Sequence, residues 1–133
     1  PLEHLTEMAL LRGVDPPARQ RLAAHVTALP GVTPVNVNTA GVPVLTVLGL
    51  DVLQAERAAR ERADAPFAHL EDFVARLGLD PESFDTGGLS VTSRFFELAT
   101  RVDVGGREVR HFSLLYRPGA GPVRVLQRST TGF

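Results

Sequence analysis

The sequence predicts an α+β fold: a small helical domain over residues 1–88 followed by a three-stranded antiparallel meander over 89–133. Three observations predict it. Apolar residues recur at helical spacing between capping signals up to about residue 84. A Gly-apolar-Asp unit repeats within that stretch, and the last third of the chain switches to strand-like segments separated by Gly and Pro turns.

The helices are expected at 3–12, 16–28, 41–48, 51–63 and 69–77, with a short one near 81–84. The repeated unit is Gly13-Val14-Asp15, Gly49-Leu50-Asp51 and Gly78-Leu79-Asp80. Its Gly can take the left-handed conformation that ends one helix, the apolar residue packs back on the last turn, and the Asp caps the next helix. Pro16 and Pro81 follow two of these Asp residues, where a helix accepts Pro because the first-turn N–H is unpaired. Leu5, Met8, Ala9 and Leu11, then Leu22, Ala23, Val26 and Leu29, are spaced as inward stripes. In the meander, Phe96, Leu98, Val102 and Val104 share one face of a first strand, with Glu97, Arg101 and Asp103 on the other. Gly105-Gly106 is a tight hairpin turn. The return strand, 108–116, places Phe112, Leu114 and Tyr116 on one face. Pro118-Gly119-Ala120-Gly121-Pro122 turns again, and 123–128 is the third strand.

Composition narrows the function classes. With 133 residues there is room for one ordinary domain or two very small ones. A chain of this mass buries roughly two thirds of its unfolded surface, so the core needs no cross-links. The absence of Cys excludes disulfides, CxxC redox chemistry and thiolate zinc sites. All 14 basic residues are Arg and the formal net charge is −1, so there is no broad positive field to hold a polyanion. No apolar run is long enough to cross a membrane, and Pro1-Leu2-Glu3-His4 reads neither as a signal peptide nor as a lipidation site. The chain is expected to be soluble and to be a fragment of something longer.

The most informative segment is Thr33-Pro34-Val35-Asn36-Val37-Asn38-Thr39-Ala40. Val35 and Val37 alternate with Asn36 and Asn38 in a short extended piece, after which Asn38 or Thr39 can cap the helix that carries Val44, Leu45 and Leu48. Read locally, the Asn residues form a polar turn and a cap and have no catalytic task.

The order Leu11-Arg12-Gly13-Val14-Asp15, Leu29-Pro30, PVNVNTA at 34–40, Leu48-Gly49-Leu50, Arg62, Pro66-Phe67 and Asp72-Phe73 resembles the helical domain of type II secretion system protein K, a minor pseudopilin. Thr92-Ser93-Arg94-Phe95-Phe96 is similar to that family's strand start, and Val123 to Arg128 to its closing strand. The resemblance runs from about residue 2 to 129. It implies a SAM-like, helix-hairpin-helix-like domain, divided as the end of a first subdomain (1–33) and a second subdomain (34–88), followed by strands of a pilin-like sheet. It also implies an N-terminal membrane helix and further strands with no counterpart here, so that the sheet exposes an apolar face and the fragment self-associates. The implied role is structural: a subunit at the pseudopilus tip on the periplasmic side of the inner membrane, initiating or capping assembly with minor pseudopilins I and J. Secreted substrate and the outer-membrane secretin are further implied contacts. Neither an enzyme activity nor a cofactor is expected.

Residues 36–73 are also similar to helix-hairpin-helix modules of bacterial competence DNA receptors, which supply the alternative reading of a nucleic-acid-binding module. Those hairpins bind phosphate through backbone N–H groups and usually carry a second Gly. Asp51 stands at that position here, and Asp15 in the first unit. A carboxylate there repels phosphate and occupies the cap N–H groups, so no nucleic-acid partner is expected.

Other chemistry finds little. His4, His25, His69 and His111 stand without metal-ligand spacing. No GxSxG elbow, P-loop or dinucleotide fingerprint occurs. Arg57, Arg60 and Arg62, interleaved with Glu56 and Glu61, read as a solvated helix face. Asp80, Glu82 and Asp85 offer oxygens to a calcium ion, as in some pseudopilins, but lack the spacing of a calcium loop. The residues singled out are therefore structural: Asn36, Asn38, Thr39 and the Gly and Asp of the three units, Gly13, Asp15, Gly49, Asp51, Gly78 and Asp80.

Overall fold

A computed structural model describes residues 5–10 and 12–130. The fold is α+β and forms two compact units, Thr33–Ser93 and a second made of Pro1–Val32 with Arg94–Phe133. The break expected at 88/89 thus falls at 93/94. The reason is local: Leu89–Ser90 forms a strand that pairs with Val35–Asn36, so it belongs to the helical unit and not to the meander.

In the helical unit the order is β1 (Val35–Asn36), α2 (Val42–Val47), α3 (Val52–Asp64), α4 (Leu70–Leu77) and β2 (Leu89–Ser90), with α1 (Pro16–Ala23) preceding it in the other unit. β1 and β2 run parallel, Val35 opposite Leu89 and Asn36 opposite Ser90. A parallel pair needs a crossover between its strands, and α2, α3 and α4 supply it. Each helix is delimited by a readable device. Asp51 caps α3 in a reciprocal capping box with Gln54. Gly78 closes α4 at φ +66°. The core gathers Val37, Leu45, Ala55, Ala58, Phe67 and Phe73, all buried. Two alanines on the inner face of α3 let that helix approach closely, and Phe67 meets Phe73 edge to face at 5.1 Å. Each large apolar side chain buried in this way contributes about 1.5–3 kcal/mol.

Three expectations about helices are corrected. The first helix is a 3-10 segment, Leu5–Leu10, in which Met8 is buried and Ala9 exposed; Leu11 lies outside the described residues. α1 ends at Ala23 instead of 28 and buries none of its residues, so the stripe of Leu22, Ala23 and Val26 is not a core face. The β-branched pair Val26 and Thr27 disfavours continuation, and the N–H groups of His25 and Val26 both turn back onto the Leu22 carbonyl. Finally, 81–84 is one turn and not a helix, because Asp85 accepts from the Gly87 N–H and bends the chain away.

The sheet is an antiparallel meander of β3 (Phe95–Val104), β4 (Arg107–Tyr116) and β5 (Arg124–Ser129). Gly105 and Gly106 both take positive φ, as a two-residue hairpin turn demands. Opposite pairs such as Leu98 with Ser113 and Val102 with Val109 share a face. The set Phe96, Leu98, Val102 and Val104 therefore stands with Val109 and Leu115, whereas Phe112, Leu114 and Tyr116 stand on the opposite face with Ala99, Glu97 and Phe95. A bulge between Leu114 and Leu115 accommodates Leu126 as an extra residue of β5. Leu114 is buried, but Leu98, Val102, Val104 and Val109 remain 49%, 45%, 64% and 41% exposed.

Candidate functional site

The NVNTA segment is a polar knot that closes the helical unit. Asn36 Oδ1 accepts from the Asn38 N–H at 2.9 Å, and Asn36 Nδ2 donates to Ser93 Oγ at 3.0 Å. Asn38 Oδ1 accepts from the Phe67 N–H at 2.8 Å, while its Nδ2 donates to the carbonyls of Phe67 (3.0 Å) and Val91 (3.2 Å). A single amide side chain thus joins the end of β1, the α3–α4 loop and the residue after β2. This corrects the capping role: α2 begins at Gly41 with no side-chain cap, and Thr39 reaches only the Asn36 carbonyl, at 3.4 Å.

Arg62 completes the knot. It donates to the carbonyls of Val37 (2.8 Å) and Ala40 (2.6 Å), satisfying acceptors that the turn after β1 would otherwise leave facing inward. The solvated-face reading holds for Arg57 and Arg60, paired along α3 with Glu61 and Glu56, and is wrong for Arg62. Arg62 was legible only as part of an alternating charge run, because its acceptors lie more than twenty residues upstream.

Glu61 is the hub of a second network. Arg76 Nε approaches one carboxylate oxygen at 2.9 Å and Arg57 Nε the other at 3.0 Å. The hydrogen bonds from Arg76 and then Arg57 hold the Glu61 carboxyl below the ordinary glutamate range. The Arg76 guanidinium also lies 4.4 Å over the Phe67 ring, joining this network to the core.

The three Gly-apolar-Asp units sit at three separate turns. Gly13, Gly49 and Gly78 take positive φ. Asp15 caps α1 by accepting from the Ala18 N–H, and Asp51 caps α3 by accepting from the Gln54 N–H, both at 2.8 Å. Asp80 accepts from the Glu82 N–H and from Ser83 Oγ, and the Ser83 hydroxyl followed by that N–H lowers its pKa from the usual aspartate value. It organises a single turn where a helix was expected. Among the described residues no three His, Asp or Glu gather in a manner that would hold a metal ion.

The α2–α3 hairpin bears directly on nucleic-acid binding. Its cap N–H is taken by Asp51, and Val47, Val52 and Leu53 are large apolar side chains exposed around it, so the tip offers aliphatic carbon where a phosphate site needs free N–H groups and cations. With an internally capped hairpin, a polar knot directed inward and an uncovered apolar sheet, the chemistry on view is that of contact surfaces.

The sequence profile of the family described as type II secretion system (T2SS), protein K, matches residues 35–92, which run from the start of β1 to just past β2. The chain is similar to the type II secretion system protein K of Pseudomonas aeruginosa, with 34% identity over 125 residues, covering 93% of this chain and 37% of that protein. It is also similar in structure to a chain in the crystal structure of the GspK-GspI-GspJ complex from the enterotoxigenic Escherichia coli Type 2 Secretion System. There the TM-score is 0.70 and the identity 26%, over 97% of this chain and 48% of that one. The chain therefore spans little more than a third of the curated relative and about half of the solved one.

Proposed function

We propose that this chain is part of a minor pseudopilin, a structural subunit at the tip of the secretion pseudopilus, a reading supported by the match of residues 35–92 to the type II secretion system protein K family and by the similarity to the Pseudomonas aeruginosa protein. The observation that carries the reading is the likeness, across 97% of the chain, to a protein solved within a GspK-GspI-GspJ complex. The proposed partners are the corresponding minor pseudopilins I and J, and the proposed location is the periplasmic side of the inner membrane. The secretin and exported substrate are further proposed contacts.

The division of labour follows from the surfaces. The uncovered apolar face of β3, β4 and β5 is suited to burial against neighbouring elements of an assembly. The helical unit, a bulky body closed by its own core and knot, is suited to blocking addition of a further subunit. The work is association, and the reading requires neither a catalytic residue nor a cofactor.

Size-exclusion chromatography with light scattering tests it, using this chain mixed with soluble minor pseudopilins I and J from the same source. Co-elution at a defined stoichiometry is expected. Salt-sensitive micromolar binding to duplex DNA, with no co-elution, would overturn the reading in favour of the nucleic-acid module.

A further inference from the structure

The helical unit carries a groove that the tip-subunit reading leaves without a task. It has a volume of about 330 Å³ and runs between α4 and the 79–86 turn, with Leu70, Val74 and Leu79 as its apolar floor and Glu71, Ala75 and Pro81 at its exposed rim. We propose that this groove binds a short apolar protein segment bearing a cationic side chain, with the apolar residues on the floor and the cation on Glu71.

The shape is prepared in advance. Ala75 leaves the middle of the groove open where a larger side chain would fill it. The far wall is held by its own hydrogen bonds: Asp80 to the Glu82 N–H and Ser83 Oγ, Asp85 to the Gly87 N–H, and the Leu89 N–H to the Thr86 carbonyl. Its volume is about twice that of a 150 Å³ cavity that accepts benzene, which is room for two aliphatic side chains one helical turn apart.

The charge selects the occupant. Residues 63–93 carry six carboxylates and a single Arg. That Arg76 is turned away, engaged by the Glu61 carboxylate, by the Glu61 and Ala65 carbonyls and by Asp72. Glu71 makes no hydrogen bond or ion pair among the described residues. An acidic segment, a nucleic acid or an anionic lipid surface is repelled here, whereas Arg or Lys on an apolar segment is attracted. The inference stands on the groove and does not depend on which assembly the chain joins.

The test is a ¹⁵N–¹H correlation titration of the full 133-residue chain with a short amphipathic peptide of Leu, Ala and Arg, and with its counterpart carrying Glu for Arg. The basic peptide is expected to shift the amides of 70–75 and 79–86 with a Kd on the order of 100 µM, and the acidic one to leave them in place. Glu71→Gln should weaken binding about fivefold. Ala75→Arg, which fills the groove at an exposed helix position, should abolish the shifts, and Thr86→Arg repeats that test from the opposite wall. Equal binding of both peptides, shifts confined to other residues, retention in the filled variants, or no shifts at millimolar peptide would each overturn the proposal. Because minor pseudopilins I and J take no part in the titration, its failure is distinguishable from failure of the tip-subunit reading.

Discussion

Replacing Asn38 by Ala removes three hydrogen bonds from one half-buried side chain. The Phe67 N–H is the costliest loss. Phe67 is 2% exposed, so water does not readily replace the lost acceptor, and an unsatisfied buried donor costs about 1–3 kcal/mol. The carbonyls of Phe67 and Val91 lose neutral bonds of about 0.5–1.5 kcal/mol each, partly recovered by a second lone pair or by water. The expected destabilisation is about 2–4 kcal/mol, or roughly 10 °C in Tm for a domain of this size. Urea unfolding followed by circular dichroism at 222 nm measures it. A loss below about 1 kcal/mol would refute the knot as the closure of the unit.

The isosteric Asn38→Asp sharpens the test. Its carboxylate still accepts from Phe67 but sets negative oxygen against two carbonyls, so the folded state favours the protonated form and raises this group's pKa. The folded state then binds more protons than the unfolded one, and stability falls as pH rises from about 3.9 to the raised value. The deficit of Asn38→Asp relative to the parent should be small in acid and largest at neutrality. A deficit independent of pH would show that the amide donor has no partner here.

Gly49 holds φ +104° with an added Cβ in ordinary contact with Phe84, so Gly49→Val should cost at least about 1 kcal/mol through the backbone, and an unchanged melting point would contradict the turn. Asp51→Ala breaks the capping box and should cost about 1 kcal/mol in the same urea assay. For Glu61 the folded pKa lies below 4.5, so its contribution is complete above about that pH and is lost as pH falls through the folded value. The acid limb of a stability profile should flatten in Glu61→Gln. Leu98→Glu with Val102→Glu, on the exposed sheet face, should leave Tm nearly unchanged while suppressing the concentration-dependent association expected of the parent chain in light scattering.

Local grammar made the α+β order and the hairpins legible. Gly105-Gly106 specifies its turn from two adjacent residues, and Asp51 with Gln54 specifies a helix start over four. What escaped depends on distance along the chain. The β1–β2 pair joins two-residue strands more than fifty positions apart, and no periodicity marks a strand that short. Arg62 and Asn38 have acceptors set by how the unit closes, so in the sequence one presents itself as surface charge and the other as a cap. The end of α1 and the residues after it show the opposite case. Their apolar spacing is helical, but Leu22 and Val26 remain 39% and 41% exposed, and spacing without deep burial does not hold a helix.

The parallel sense of β1 and β2 has a mechanical consequence. The chain comes into the helical unit at the leading end of one strand and leaves from the trailing end of its neighbour, so tension applied through the two flanks slides the strands lengthwise. Sliding loads the Val35–Gly88 and Val37–Ser90 backbone bonds together with the side-chain bonds from Asn36 to Ser93 and from Asn38 to Val91. Four bonds in shear must yield nearly at once, whereas an antiparallel closure pulled from the same flanks would open one bond at a time. The asparagines that tie the knot thus also resist shear between the two strands.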